Sequence, residues 1–318
     1  MENYNLKKGI ICALIAVFLI GMQPVIAISR PSIIDPYIFA AITALIEALI
    51  FLPIFLLEIG RLNNSSKNNP SEEEKINSLL NGWKKKKNIK LLILVVLIFS
   101  IVPILLYIGY DLAGPINSSL ALKSEIIFAL LFGYLILKEE RISKIQILFC
   151  FLLFIGLIIA ITQFNLLEFN IGVIIGVIIL LISVALFTFV HTFTKSAFDR
   201  NELFPTQVVF IRNLCSGIIL TLIYLVVFPQ ENFLLLLDFD NLIFFILMGL
   251  DYGFSLFFWY KTISYIQIGK AGIINSLTPI VSAFFSFIFL GIIFTVFHLI
   301  GTIIIIISIF MIVREKSK

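Results

Sequence analysis

The chain has 318 residues, of which 60% are apolar and only 13% charged, with a formal net charge of +4. A soluble domain averages roughly 45–50% apolar and about 25% charged residues, so this composition excludes a water-soluble fold. The positive charge carries no nucleic-acid signal, because the basic residues sort by loop as shown below.

A hydrocarbon core about 30 Å thick needs about 20 helical residues to cross it. Only helices and closed barrels satisfy the backbone in lipid, and the long unalternated apolar runs here point to helices. The first run, 10–28, follows Lys7 and Lys8 and contains Gln23 and Pro24. It is long for the apolar part of a cleavable leader and reads as a retained first span. Pro36 opens the second, 36–57, which carries Glu47 near its middle and Pro53 beyond it. The polar stretch 58–90 holds Asn63-Asn64-Ser65-Ser66, the acids Glu72 to Glu74, and Trp83 followed by four lysines. It predicts a flexible cytoplasmic loop whose lysines set orientation and can meet anionic lipid. A glycosylation sequon at Asn64 is inert on that side.

Span three is expected at 91–110, around Pro103. Span four, 116–137, follows Pro115 and carries Lys123 and Glu125; span five is 145–162. The second half continues with 171–193, which ends near His191, and 205–228, which opens on Pro205 and carries Arg212. Span eight, 242–260, holds Asp251 and Tyr252. From Ala271 to Val313 the only ionisable side chain is His298. That stretch is too long for one crossing, so it must fold back near Gly291, giving spans 271–291 and 294–313. Prolines at span starts lose little, whereas Pro24, Pro53, Pro103 and Pro279 should kink their helices.

Lys and Arg stay on the cytoplasmic side of membranes. With the N-terminus inside, every one of the 23 lysines and arginines falls on an inner segment except Arg30, Lys123 and Arg212. The outer segments carry mainly acids: Asp35, Asp111, Glu168, Glu231, Asp238 and Asp240. This predicts a multi-pass plasma-membrane protein with both termini cytoplasmic.

Ten spans divide as five and five near 163–170. An odd number per half forces the second half upside down, so the expected fold is an all-α membrane protein of ten transmembrane helices in two inverted five-helix repeats, 1–162 and 163–318. Pro36 and Pro205 open equivalent spans. Beyond the long loop, 116–156 lies over 268–308, which places Asn275 on Lys123, Ser143 on Thr295, and Phe132 and Ile136 on Phe284 and Ile288.

The stretch Leu137-Lys138-Glu139-Glu140-Arg141-Ile142-Ser143, followed by Gln146 and Gly156, resembles the end of span four and its sequel in the EamA-type members of the drug/metabolite transporter superfamily. Ser276-Leu277-Thr278-Pro279-Ile280 through Leu290-Gly291 resembles the matching part of span nine, and Phe210-Ile211-Arg212-Asn213 the Arg-bearing start of span seven. The resemblance covers about 9–316. It implies a transporter of small polar or amphipathic solutes such as amino acids or related metabolites, often exported. The Glu140-Arg141 pair has no counterpart at Ile292-Ile293, where an outward turn disfavours a basic residue. Glu47, Lys123 and Glu125 are not part of the general family pattern.

An ionisable side chain at membrane depth costs at least ~2.5 kcal/mol on insertion scales and faces protein or water. Glu47, Lys123, Glu125 and Asp251 are therefore candidates for substrate binding or coupling, with fixed ion pairs as the structural alternative. Lys123 and Glu125 point to different sides of their helix, so each should meet a partner on another span. Lys123 is expected to contact an anionic substrate group or to pair with Glu47 or Asp251; Glu125 or Asp251 could carry a coupling proton. Gln23 and Asn275 are uncharged cavity candidates. Of the aromatics in spans three and eight, Tyr107, Tyr110, Trp259 and Tyr260 suit an interfacial belt, and Tyr252 suits a cavity wall. Arg212 has a long stem that can snorkel toward the cytoplasmic side, so a structural or lipid-headgroup role is expected. His191 and His298 are expected to pack or lie at the interface, and Glu140 and Arg141 are secondary candidates.

The leading reading is a secondary transporter working by alternating access, with a small-molecule substrate and the lipid bilayer as partners, as a monomer or homodimer. A nucleotide-sugar or phosphorylated-metabolite carrier, with Lys123 on phosphate, is a second. A non-transporting scaffold or receptor is a third. An enzyme lacks support, because the sequence has neither HExxH nor a Ser–His arrangement. Cys12, Cys150 and Cys215 form neither a metal spacing nor a disulfide framework, and no Walker motif occurs, so no cofactor, metal or nucleic acid is expected.

Overall fold

Proline and glycine set where the chain turns. Pro36, Pro115 and Pro205 each stand at the first residue of a helix, where the missing N–H would have no helical partner anyway. Gly291 ends a helix with φ +65°. Its N–H bonds Phe287 O and the Ile292 N–H bonds Ser286 O, both at 3.2 Å. These two bonds close the helix end in a left-handed cap that a side chain would strain. This cap makes the fold-back that an uncharged stretch had to contain.

The computed structural model describes residues 2–68, 73–137, 142–163, 170–266 and 268–315. Among them, ten helices are long and apolar enough to cross a membrane: Leu6–Ser29, Pro36–Lys67, Lys86–Ala113, Pro115–Ile136, Lys144–Thr162, Ile171–Asp199, Pro205–Val227, Phe239–Tyr265, Ala271–Leu290 and Val296–Arg314. These are spans one to ten, and no strand occurs among the described residues. The protein is an all-α, multi-pass membrane protein of two inverted five-helix repeats.

One expectation needs correction. The stretch 58–90 is not a loop over most of its length. Span two runs on as helix to Asn68, and a further helix, Glu73–Asn81, follows. Glu73 and Glu74 sit in the first turn of that helix, where the helix dipole favours acids, and Ile76 is buried. The prolines also act unequally. Helix continues through Pro24 and Pro53. Spans three and nine instead stop at Phe99 and Asn275 and restart at Val102 and Thr278, with Pro103 and Pro279 in the new first turns. Span four is also irregular, passing through a 3₁₀ turn at Leu122–Ser124.

The repeat is visible in register. Spans five and ten are both 19 residues long and both begin on a capping box, Ser143 with Gln146 and Thr295 with His298. The two helices pack along each other. Gly156 and Gly301 form their crossing: a Cβ on Gly301 would lie 2.5 Å from Gly156 O, so only small residues allow this approach. The ends are tied alike. Gln146 Nε2 donates to Ile312 O at 3.1 Å, and Gln163 Nε2 lies 3.4 Å from His298 Nε2. The other spans follow the same symmetry: one packs on eight as six packs on three, one packs on nine as six packs on four, and two packs on seven.

Contacts between loops agree with ten alternating crossings. On the face carrying both chain ends, Lys85 meets Glu202 at 3.0 Å and Glu58 meets Lys261 at 3.3 Å and the hydroxyl of Thr206. On the opposite face Arg30 makes a two-pronged pair with Asp111, at 2.9 and 2.6 Å. The exceptional basic residue of that face is thus neutralised locally.

Candidate functional site

A cavity of about 80 Å³ lies between the two halves. It is room for several ordered waters. Gln23 of span one, Phe99 and Tyr110 of three, Lys123 and Glu125 of four, His191 of six, Tyr252, Ser255 and Trp259 of eight, and Asn275 of nine all line it. A smaller space of about 20 Å³ also touches Lys123, Glu125, Trp259 and Asn275. These four side chains form the partition between the two.

Broken helices build that partition. The interruption after Asn275 frees its carbonyl, which accepts from Lys123 Nζ at 2.8 Å and from Thr278 Oγ1 at 2.6 Å. The Asn275 side chain is fixed at both ends: Nδ2 donates to Glu125 Oε2 at 3.3 Å and Oδ1 accepts from Thr278 Oγ1 at 2.8 Å. Lys123 sits in the 3₁₀ turn of span four and is 3% exposed. The cation and the carboxylate are thus bridged by one residue of the other repeat. The expectation that Lys123 pairs with Glu47 or Asp251 gives way to this arrangement.

Glu47 has a different partner. Arg212 Nη2 donates to Glu47 Oε2 at 3.3 Å, and Arg212 Nε donates to Asn213 Oδ1 at 2.7 Å. The guanidinium lies over the rings of Phe99 and Tyr252, 4.1 and 5.4 Å from their centroids. Both rings line the cavity, so the ion pair stands directly behind its wall. Arg212 does not snorkel: it is 1% exposed, because span seven packs on span two along its length and turns this side chain inward. Asp251 is also buried, and its Oδ2 has no hydrogen-bond partner.

The remaining candidates divide. Gln23 Nε2 donates to Ser255 Oγ at 2.7 Å, and Ser255 Oγ donates to Tyr252 O at 2.8 Å. His191 is packed rather than interfacial, beside the rings of Phe99, Phe187 and Tyr260, and neither ring nitrogen has a partner. The aromatic belt expected for Tyr107, Tyr110, Trp259 and Tyr260 is not formed, since all four are buried. They turn inward because spans three and eight face the bundle interior at these positions. His298 is held by its cap with Thr295 and by Gln163. Glu140 and Arg141 lie outside the described residues.

Sequence reasoning missed Ser255, Asn213 and Phe99. Ser255 lies one helical turn after Asp251, which is a usable signal. Asn213 adjoins Arg212. Phe99 is one of 33 phenylalanines and carries no signal of its own. Chemically, the cavity offers one cation, one carboxylate, aromatic walls and buried polar atoms without partners at Tyr110 and His191. Convergent polar groups in an otherwise apolar hollow are the usual make-up of a small-molecule site.

Comparison with known proteins agrees with this architecture. A family model described as the EamA-like transporter family matches residues 7–162 and again 174–314. A solved crystal structure superposes with a TM-score of 0.65 over 96% of each chain at 10% sequence identity, a likeness of fold alone. No curated protein matches the chain. Matched once in each half, the chain belongs to the EamA-like transporter family and is a multi-pass membrane transporter of the drug/metabolite type.

Proposed function

We propose that this transporter is a proton-coupled secondary exporter of a small zwitterionic metabolite, an amino acid or a close relative. It resides in the plasma membrane with both chain ends cytoplasmic, as the distribution of Lys and Arg favours, and works as a monomer or homodimer. The observation that carries the reading is the Lys123–Asn275–Glu125 bridge, which presents a cation and a carboxylate to one cavity. A zwitterion answers both charges at once, its carboxylate toward Lys123 and its ammonium toward Glu125. Trp259 and Tyr252 offer apolar faces to the rest of the solute. Inverted halves meeting at broken helices suit a rocking motion that exposes this site to each side in turn.

The test is reconstitution of the full chain in liposomes with a panel of labelled amino acids, nucleotide sugars and phosphorylated metabolites. Saturable flux of a zwitterion, increased by a pH gradient, is expected. Flux of phosphorylated solutes alone would replace the zwitterion. Flux indistinguishable from empty liposomes across the panel would overturn the reading.

A further inference from the structure

Among the described residues, five charged side chains stand deep in the bundle: Glu47, Lys123, Glu125, Arg212 and Asp251. Four of them balance. Arg212 pairs with Glu47, and Lys123 meets Glu125 through Asn275. Asp251 is left over. It is 6% exposed, and its Oδ2 is enclosed without a hydrogen-bond partner. An ionised carboxylate without a partner is costly in such a place, and a proton is the simplest ligand that removes the charge.

The groups facing Asp251 do not supply the missing positive charge. Span two presents Glu47, already paired and of the same sign. Arg212 of span seven is committed to Glu47 and Asn213. Tyr110 of span three stands within electrostatic reach of Asp251, and Tyr252 follows Asp251 on its own helix. His191 of span six lines the cavity, and its two ring nitrogens lack the acceptors that an imidazolium would need. The polar residues that spans one and nine bring to the cavity are Gln23 and Asn275.

We propose that Asp251 is the proton-carrying residue of this transporter, separate from the solute contacts at Lys123 and Glu125. The proposal rests on the reading of the cavity as the solute site. Tyr252 and Ser255, neighbours of Asp251 on its helix, both line the cavity while Asp251 itself does not, so the proton is held on the helix that forms the solute's wall. Proton and solute then act on the same helix, which lets an incoming proton be exchanged against an exported solute. The step is a protonation only: the carboxylate oxygen takes up H⁺ from one side and releases it to the other.

Infrared difference spectroscopy of the full-length protein in lipid, on stepping the pH, reads the carboxyl proton without any solute. A titrating C=O band of a protonated carboxyl is expected in the wild type and in Glu125→Gln, and its loss in Asp251→Asn. Persistence of the band in Asp251→Asn, or its loss in Glu125→Gln, would overturn the assignment. If Asp251→Asn does not fold, Asp251→Glu should shift the band, and an unshifted band overturns the proposal equally. In liposomes, Asp251→Asn should keep solute exchange between equal pools and lose accumulation driven by a pH gradient; loss of both would count against it. Should wild-type liposomes move no solute at all, the transport reading fails while the infrared result still decides where the proton sits.

Discussion

Lys123 donates its ammonium proton to the main-chain oxygen of Asn275 at 2.8 Å, and the two residues are 152 apart in the chain. That separation is also the offset between the two capping boxes and between the two 19-residue helices they open. The contact therefore joins equivalent positions of the two repeats, where the helices of both are broken. An unwound carbonyl at membrane depth needs a donor, and a buried ammonium needs an acceptor; each meets the other's requirement.

Removing this donor should weaken solute binding more than folding. Lys123→Met is expected to raise the half-saturating solute concentration about ten- to hundredfold, the loss of a charge-assisted hydrogen bond of ~1.5–3 kcal/mol. Asn275→Ala should act in the same direction and less, because its carbonyl remains. Concentration-dependent flux in liposomes measures both, and an unchanged half-saturation for Lys123→Met would remove Lys123 from the site.

The Glu47–Arg212 pair should behave oppositely. Glu47→Leu leaves a buried guanidinium without its carboxylate and is expected to cost about 3–5 kcal/mol of stability. The double variant Glu47→Leu with Arg212→Met should recover most of that loss. Thermal unfolding in detergent reads the difference; a single variant as stable as wild type would show that the pair holds nothing together.

Spans five and ten predict a matched pair of effects. Ser143→Ala and Thr295→Ala each remove the side chain that caps the helix start, at about 0.5–2 kcal/mol. Gly301→Leu would force a side chain against Gly156 O and Ala160 and should separate the helices. Cysteine cross-linking between the two spans, intact in the cap variants and lost in Gly301→Leu, checks the distinction.

Much of this was legible in the sequence. Runs of apolar residues located ten spans because lipid imposes a length, and the overlay of Ser143 on Thr295 paired two residues that the fold uses as equivalent caps. The side-chain partners were not legible. Glu47 and Arg212 are 165 residues apart, and nothing local says that span two packs on span seven. The position of Arg212 along its span permits either a headgroup or a structural role; the rotation of the helix, set by packing, selects the structural one, against Glu47. The helical character of 58–68 was hidden by its polarity, since hydropathy marks where a span leaves the membrane but not where its helix ends.

Glu202 gives a prediction of pH dependence on the face carrying the chain ends. Arg200, then Lys85 and Asn88, hydrogen-bond its carboxylate and hold its pKa down at about 2. An unfolded glutamate titrates near about 4.3. The folded value is the lower one, so this cluster's contribution to stability is complete above the unfolded value and is lost as pH falls toward about 2. Unfolding midpoints measured across that window should fall in the wild type, and less steeply in Glu202→Gln. Parallel slopes would mean that the cluster contributes nothing.

The central claim is that the cavity at Lys123 and Glu125 is where solute is held. Its most direct test is flux through Glu125→Gln in liposomes, with insertion and folding confirmed on the same preparation. Transport should be cut sharply at every pH while the protein remains folded and inserted. Undiminished transport by that variant would contradict the account.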